Sequence, residues 1–213
     1  MKRLRLTEIF FSLQGETRTV GIPTVFIRLT GCPLRCGYCD TSYAFQGGTW
    51  HDFDHIFAQI KQYQTRFVTV TGGEPLAQKS CPEFLFALCE AGYQVSLETS
   101  GALNVAFVDK RVVKVMDLKT PSSGEVSKNL WENLDHLQSH DQIKFVIGDH
   151  ADYEWSKTIL DRHKLADQCE VLFSPVYQAL SIEDLAGWVL KDQLPVRVQV
   201  QLHKIIWGDV PGR

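Results

Sequence analysis

The sequence predicts an α/β protein in which a mainly parallel sheet curls into a partial, modified β/α barrel. Three observations support this prediction. Short apolar runs alternate with amphipathic stretches, polar motifs follow directly on several of the apolar runs, and 213 residues are few for a full eight-stranded barrel. Alternation of strands and helices favours parallel strands joined by right-handed crossovers. A functional site is therefore expected at the carboxyl ends of the strands.

The predicted elements follow from hydrophobic periodicity. Apolar runs predict strands at residues 24–29, 67–71, 95–98, 112–117, 142–147, 170–173 and 196–202. Apolar residues recur at helical spacing in residues 52–63 and 82–91, and more weakly in 129–137, 151–163 and 182–190. No repeat or Pro/Gly/Ser-rich linker divides the sequence, so residues 1–213 are predicted to form a single domain.

Composition and charge exclude several classes of protein. Hydrophobic residues make up 44% of the chain, which argues against a disordered protein. The formal net charge of −3 gives no electrostatic reason to expect a nucleic acid or an anionic membrane as partner. No apolar run approaches the roughly 20 residues that span a bilayer, and the basic start lacks the apolar core of a signal peptide. We therefore expect a cytoplasmic protein whose thiols stay reduced.

Three cysteines carry the strongest signal. Cys32, Cys36 and Cys39 follow a predicted strand in a C-x3-C-x2-C spacing, with small and turn-forming residues between them. Three thiolates so close together can converge on one iron–sulfur, zinc or copper centre. A structural zinc site needs four ligands, and the remaining cysteines are isolated in the sequence. An iron–sulfur cluster with one open iron explains three ligands better, with zinc as the alternative.

Further polar residues follow other predicted strands. Residues 71–75 read Thr-Gly-Gly-Glu-Pro, in which Gly73 permits close approach of a ligand to the backbone and Glu74 can accept hydrogen bonds from an ammonium. Ser100, Lys119 and Ser174 end later strands and are candidates for ribose, carboxylate and adenine contacts. Each has an alternative interpretation as an ordinary cap or turn residue.

The segment before the first predicted strand suggests a second ligand. Gln14 and Glu16 flank Gly15 and offer donors and acceptors that can read the edge of a flat heterocycle. Arg28 lies within an apolar strand, where a buried guanidinium needs a partner such as a substrate carboxylate. The alternative is that Arg28 faces outward on the pleated strand.

The cysteine spacing and the Thr-Gly-Gly-Glu-Pro segment some 30 residues later together resemble the radical S-adenosylmethionine superfamily. The resemblance implies a 4Fe–4S cluster on Cys32, Cys36 and Cys39, with S-adenosylmethionine chelating the fourth iron. Reductive cleavage then yields a 5′-deoxyadenosyl radical that abstracts a substrate hydrogen. The implied cofactor-binding residues are Tyr38, Cys39, Asp40, Gly73, Glu74, Ser100, Asp117, Leu118, Lys119 and Ser174.

Within that superfamily, the chain resembles the 7-carboxy-7-deazaguanine synthase family. The resemblance rests on residues 12–16 (Ser-Leu-Gln-Gly-Glu), 31–41, 71–75 and 199–204. It implies magnesium-dependent ring contraction of 6-carboxy-5,6,7,8-tetrahydropterin with loss of ammonia, in queuosine and deazapurine biosynthesis. It also implies a homodimer and an electron donor such as flavodoxin or ferredoxin. The implied substrate contacts are Leu13, Gln14, Gly15, Glu16, Arg28, Thr71, His203 and Arg213, with Thr41 as a magnesium ligand. Separately, Glu98 is a candidate for the carboxylate that handles protons, because its side chain is expected to face inward.

Two alternatives remain at this point. A radical activase that makes a glycyl radical on a partner enzyme would share the cluster motif but would not need the Gln14, Glu16 and Arg28 set. A structural or binding protein with a zinc-stabilised fold would explain the cysteines alone.

Overall fold

The computed structural model describes residues 2–212, and in it nine strands form one open sheet. The strands are β1 (Arg3–Leu13), β2 (Pro23–Leu29), β3 (Thr49–Asp52), β4 (Phe67–Gly72), β5 (Gln94–Thr99), β6 (Val113–Leu118), β7 (Gln142–Ile147), β8 (Glu170–Pro175) and β9 (Arg197–Val198). The helices are α1 (Phe53–Ile60), α2 (Cys81–Glu90), α3 (His150–Arg162), α4 (Leu165–Gln168), α5 (Ile182–Asp192) and α6 (Leu202–Trp207).

The sheet has the order β3-β1-β2-β4-β5-β6-β7-β8-β9. From β2 through β4 to β9 every neighbouring pair is parallel, whereas β1 is antiparallel to both β2 and β3. The strands β3 and β9 lie at opposite edges, so the curled sheet is not closed into a full barrel. The predicted partial, modified parallel barrel is confirmed. None of the helices described between residues 2 and 212 has the length and apolarity needed to cross a bilayer.

Three details differ from the sequence prediction. The segment of residues 3–13, expected to precede the sheet, is a strand because Leu4 and Leu6 alternate into the core at 0% and 2% exposure. The last predicted strand shortens to Arg197–Val198, and the chain turns into α6 from Leu202. Residues 131–136 form a 3-10 helix rather than an α-helix, and the buried Asn133 side chain there bonds the main chain of residues 101–105.

Residues on each strand alternate between a helix-facing core and the inside of the barrel. One apolar core lies between β1, β2, β4 and β5 and the helices α1 and α2, and a second between β6, β7 and β8 and the helices α3 and α5. On β7, Ile143, Phe145 and Ile147 belong to the second core. Lys144 and Val146, which alternate with them, therefore point into the barrel, where both line a cavity. The alternation thus separates packing residues from residues available for chemistry.

The hairpin loop of residues 14–22, between β1 and β2, crosses to the far side of the barrel. The backbone N–H of Thr17 donates to Gln199 Oε1 at 3.0 Å, and that of Arg18 to Gln142 Oε1 at 3.1 Å. Thr17 adopts a positive φ of 69° to make this path. The loop thereby links the first strands of the sheet to β7 and to the segment after β9.

A buried ion pair joins β6 to the segment before β7. Lys114 Nζ lies 2.8 Å from Asp141 Oδ2, and the two side chains are 2% and 0% exposed. The Asp141 carboxylate also accepts the backbone N–H groups of Lys114 and Gln138 at 2.7 and 2.8 Å. Because the ammonium and two backbone N–H groups bind the Asp141 carboxylate, these contacts offset the free-energy cost of burying its charge.

We expect Asp141→Ala to lower the free energy of unfolding by about 3–5 kcal/mol, because the Lys114 ammonium would be buried without its counter-charge. The urea-unfolding midpoint measures this loss. Glu154→Ala is the control, since Glu154 forms an exposed pair with Lys157 at 3.1 Å and such pairs contribute little. Equal losses in the two variants would contradict a structural role for the buried pair.

Candidate active site

A cavity of about 510 Å³ opens where the parallel strands end. Its walls come from β2, β4, β5, β6 and β7, from the cysteine loop and from α6. Most of the residues expected from the sequence line it: Leu13, Gln14, Gly15, Glu16, Arg28, Cys32, Cys36, Tyr38, Cys39, Asp40, Thr41, Thr71, Gly73, Glu98, Ser100, Asp117, Lys119 and His203. A shallower depression of about 580 Å³, lined by residues 166–171 and 194–197 among others, contains none of them.

The three cysteines line one side of the cavity as free, partly exposed thiols. Burial raises the pKa of Cys32 and Cys36, and the charge of Cys39 raises both further. In the part of the chain that the structure describes, no three His, Cys, Asp or Glu side chains converge closely enough to hold one metal ion. A 4Fe–4S cluster is held by cysteine thiolates, each bound to a separate iron, so three cysteines on one side of the cavity are compatible with such a cluster.

Gly73 packs directly against the cysteine loop. A Cβ atom at this position would overlap the carbonyl oxygen of Gly31 and lie 2.9 Å from Cys32 Cβ. The next backbone N–H, that of Glu74, donates to the same Gly31 oxygen at 2.8 Å. A side chain at position 73 would therefore displace the first cysteine, which explains why this strand end requires glycine.

Protein donors enclose the side chain of Glu74. Its carboxylate is fully buried and does not line the cavity. It accepts hydrogen bonds from the backbone N–H and the hydroxyl of Ser100 at 2.6 and 2.5 Å, from the Thr99 hydroxyl at 2.9 and 3.0 Å, and from the Leu76 N–H at 2.9 Å. A buried carboxylate needs such donors. These bonds position Ser100, which does line the cavity, and the contact between Glu74 and the cofactor stays a prediction.

Two further residues predicted to contact the cofactor, Leu118 and Ser174, do not line the cavity, and their contacts stay predictions. Leu118 is fully buried, and its side chain packs in the helix-facing core with Met116 because it lies on the outer face of β6. Ser174 is 2% exposed, and the cavity wall near it is formed by Val146, Val176 and other residues. Arg213, predicted as a substrate contact, lies outside the described residues.

Asp117 and Lys119 form a polar pair on the wall near the cysteines. Lys119 Nζ lies 2.9 Å from Asp117 Oδ2. Although burial opposes the charge, Asp117 raises the pKa of Lys119, so the ammonium stays protonated. Asp117 Oδ1 is buried and accepts no hydrogen bond from any residue between 2 and 212. An acceptor of this kind fits a hydroxyl or ammonium of a bound cofactor.

Arg28 has a protein partner that the sequence did not reveal. The antiparallel register of β1 and β2 places Glu8 opposite Arg28, and Arg28 Nε donates to Glu8 Oε1 at 2.8 Å. The Tyr43 hydroxyl donates to the same oxygen at 2.8 Å, and the guanidinium lies 5.6 Å from the Phe10 ring centroid. Among the described residues only the Nε donor is engaged, so the Nη groups remain for a ligand.

Glu98 occupies the middle of the cavity wall. Its two oxygens accept long hydrogen bonds from Gln14 Nε2 at 3.3 Å and from the Thr71 hydroxyl at 3.2 Å. Burial raises the pKa of Glu98, and the negative charge of Glu16 adds to this, while Lys144 opposes it. A carboxyl group with a raised pKa inside a cavity is suited to proton transfer.

The helix α6 closes the cavity beside the cysteine loop. Lys204 Nζ lies 2.8 Å from Asp40 Oδ2, and the Thr41 hydroxyl donates to Asp40 Oδ1 at 2.8 Å. Burial alone would raise the pKa of Asp40, but the hydrogen bond and charge of Lys204 lower it to about 2. The His203 ring lies over Gly15 so closely that a Cβ there would overlap it. Burial lowers the pKa of His203, which favours the neutral ring.

Glu8, Lys144, Gln201 and Lys204 are among the residues of the site that were missed from the sequence. Lys144 could have been found, since a buried lysine within an apolar strand needs a partner just as Arg28 does. Gln201 and Lys204 lie in the segment of residues 199–204 that carries the family resemblance, but only the fold shows which residues they contact.

Comparisons with known proteins agree with this site. Residues 26–118 match the model of the radical SAM superfamily. A 7-carboxy-7-deazaguanine synthase of Koribacter versatilis is 44% identical, and the match covers 96% of this chain and 97% of that relative. This chain belongs to the 7-carboxy-7-deazaguanine synthase family. A family member of Chlorobaculum tepidum is 42% identical, covering 96% of this chain and 94% of the relative.

Solved structures share the fold. The crystal structure of QueE from Escherichia coli superposes with a TM-score of 0.78 at 23% identity, covering 95% of this chain and 96% of that one. The prediction of a radical SAM enzyme with a 4Fe–4S cluster, S-adenosylmethionine and magnesium as cofactors is confirmed by family membership. The glycyl-radical activase is not favoured.

We expect Gly73→Ala to bind less iron after anaerobic reconstitution, because the added methyl group would displace Cys32. Iron content and absorbance near 400 nm measure the effect. The matched control is Gly187→Ala in α5, where an added Cβ meets no atom within 4 Å. That variant should keep full iron content and gain up to about 1 kcal/mol of helix stability. Normal iron content in Gly73→Ala would show that the cysteine loop does not depend on this contact.

Proposed function

We propose that this chain converts 6-carboxy-5,6,7,8-tetrahydropterin to 7-carboxy-7-deazaguanine with loss of ammonia, in queuosine and deazapurine biosynthesis. The observation that carries the proposal is one cavity with two different walls. The cysteine loop lies on one wall, while Gln14, Glu16, Arg28 and Glu98 supply polar groups on the other. Such a cavity can hold a flat, carboxylated heterocycle beside a cluster-bound cofactor.

The first wall would hold the cofactor. Cys32, Cys36 and Cys39 are the proposed cluster ligands, and the chemistry supplied by the bound cluster and S-adenosylmethionine is abstraction of a hydrogen atom by an adenosyl radical. The unpaired Asp117 Oδ1 and the Gly73 strand end support placement of the cofactor here. The residues proposed to contact S-adenosylmethionine are Tyr38, Cys39, Asp40, Gly73, Ser100, Asp117 and Lys119.

The second wall would hold the pterin. Leu13, Gln14, Gly15, Glu16 and Thr71 are the proposed contacts to the ring, because all five line the cavity and three of them carry polar side chains. The free Nη donors of Arg28 match a substrate carboxylate. Thr41 is the proposed magnesium ligand, since a hydroxyl is a hard oxygen donor and magnesium commonly retains several waters. His203 would cover the ring from the side of α6.

Glu98 is the proposed acceptor and donor of protons. Formation of an aromatic five-membered ring requires loss of a ring proton, and a departing amine must gain one. Glu98 lies between the Gln14 amide and the Thr71 hydroxyl and has a raised pKa, so it can exchange protons near neutral pH more readily than an ordinary carboxylate.

The remaining predictions stay proposals. We propose that residues 1–213 act as one radical SAM domain in the cytoplasm, as a homodimer, without nucleic-acid or membrane partners. Flavodoxin or ferredoxin is the proposed electron donor, since cleavage of the cofactor needs a strong one-electron reductant. Six free thiols are consistent with a reducing compartment.

Incubation of the anaerobically reconstituted protein with S-adenosylmethionine, reductant, magnesium and the carboxypterin tests the proposed reaction. We expect 7-carboxy-7-deazaguanine and ammonia, identified by mass spectrometry and a coupled ammonia assay. Cleavage of the cofactor without a deazaguanine product would refute the proposed substrate and reopen the question of a protein substrate, as for an activase.

Arg28→Ala should weaken binding of the carboxypterin by about one to two orders of magnitude, because a charge-assisted pair contributes roughly 1.5–3 kcal/mol. Cofactor cleavage should remain, since Arg28 is not among the residues proposed to hold the cluster or S-adenosylmethionine. Titration calorimetry without reductant measures the affinity. Arg111→Ala, which removes an exposed arginine paired with Glu90 and Asp109, is the control and should bind normally. Unchanged affinity in Arg28→Ala would exclude its role at the carboxylate.

The dependence of kcat/KM on pH should report on Glu98. If the ionised carboxylate accepts the proton, activity falls as pH drops through its folded pKa, which burial raises above the ordinary value of about 4.3. Glu98→Gln should abolish this acid limb and lower kcat by about 100-fold or more. Glu183→Gln, on the exposed face of α5, serves as the control. An acid limb that persists in Glu98→Gln would assign it to another group.

A further inference from the structure

We propose that Lys144 is a positioning residue that holds the Glu16 carboxylate in the orientation that receives the pterin edge. The inference deepens the proposed function and rests on it, because Glu16 and Gln14 are proposed pterin contacts. Lys144 itself was not among the residues predicted from the sequence.

Lys144 places a cation between carboxylates from three parts of the fold. Its Nζ lies 2.7 Å from Glu16 Oε2 and 3.9 Å from Asp117 Oδ2. The parallel register pairs Lys144 directly with Asp117 across β6 and β7. The charge of Glu98, on β5, also acts on this ammonium. With its side chain 12% exposed, Lys144 is largely removed from solvent and directed into the cavity.

Both oxygens of Glu16 are engaged by the protein. Oε2 meets Lys144, and Oε1 accepts a hydrogen bond from Gln201 Nε2 at 2.8 Å. A carboxylate held at both ends cannot rotate freely, so its remaining lone pairs keep a fixed direction. Since the Glu16 side chain is 10% exposed and lines the cavity, those lone pairs are available to a ligand there.

The backbone of Glu16 orients the neighbouring Gln14 side chain. The Glu16 backbone N–H donates to Gln14 Oε1 at 3.2 Å, which turns the amide nitrogen of Gln14 toward Glu98 Oε1 at 3.3 Å. The same nitrogen donates to the Thr69 hydroxyl at 3.2 Å. Lys144 thus holds the carboxylate of Glu16, while the backbone of the same residue holds the Gln14 amide, so both side chains on the pterin wall have protein partners.

The charge of Lys144 also favours the ionised form of the Glu16 carboxyl group. Burial alone would raise the pKa of Glu16, and the charge and hydrogen bond of Lys144 outweigh it, so the net shift is downward. The amino group and ring N–H of a pterin edge are donors, and an ionised acceptor binds donors more strongly than a neutral carboxyl does. A fixed, charged Glu16 is thus the form suited to this substrate.

Lys114 shows what a purely structural buried lysine looks like in this fold. It is paired at 2.8 Å with Asp141 in the segment before β7, but neither residue lines the cavity. The partner of Lys144, in contrast, lies on the hairpin loop that forms the pterin wall. Lys114 therefore provides a matched control for the same substitution.

A double-mutant cycle on carboxypterin binding tests the inference. The proteins are the wild type, Lys144→Met, Glu16→Gln and the double variant, all reconstituted with cluster and titrated without reductant. We expect Lys144→Met to raise Kd about ten-fold in the wild-type background and less than about two-fold in the Glu16→Gln background, because its effect passes through Glu16. Lys144→Arg, which keeps the charge, should restore affinity to within about three-fold of wild type.

The controls separate a positioning role from a structural one. Lys114→Met should lower the urea midpoint and leave the Kd of the folded protein unchanged. If Lys144→Met does not fold, Lys144→Gln replaces it in the cycle. An equal loss of affinity in both Glu16 backgrounds, or no loss at all, would overturn the inference.

The same experiment distinguishes this inference from the proposed function. A wild-type protein that forms the deazaguanine product while the cycle is additive refutes the role of Lys144 alone. A wild-type protein that neither binds the carboxypterin nor forms product refutes the proposed function, and the role of Lys144 with it.

Discussion

The hairpin loop of residues 14–22 joins the two halves of a sheet that does not close on itself. Its backbone N–H groups at Thr17 and Arg18 donate to glutamine side chains in β7 and beyond β9, on the other side of the barrel. The strands alone would leave an open trough with polar residues facing solvent. With the loop in place, the inward side chains of five parallel strands face one chamber, and Glu16 reaches Lys144 across it.

Inside that chamber, opposite charges are interleaved so that buried ionised groups are paired. Arg28 meets Glu8, Lys119 meets Asp117, and Lys144 meets Glu16. In each pair, one residue keeps donors or acceptors that the described part of the protein does not use and a ligand could. These are the Nη donors of Arg28, Asp117 Oδ1, and the remaining lone pairs of Glu16. Glu98 differs, since its partners are an amide and a hydroxyl and its pKa is raised. The environment thus separates carboxylates that bind from a carboxyl that can exchange a proton.

The sequence was sufficient where a local pattern determines the geometry. The cysteine spacing and Gly73 predicted a cluster loop and a close backbone contact, and alternation of strands and helices predicted the parallel sheet. It was insufficient where the outcome depends on distant partners. The Thr-Gly-Gly-Glu-Pro segment did not reveal that the hydroxyls of Thr99 and Ser100 donate to Glu74. Gln201 reaches Glu16 from 185 residues away, and no local pattern encodes that contact.

The ion pair between Lys204 and Asp40 has a consequence for the order in which the site forms during translation. Asp40 directly follows the last cysteine of the loop, and its partner is 164 residues further along the chain. At 5–20 residues per second, a ribosome would need roughly 10–30 s to pass from one to the other. During that interval the nascent cysteine loop has no closing helix above it. The covering segment emerges well after the cysteine loop, so metal delivery can precede closure.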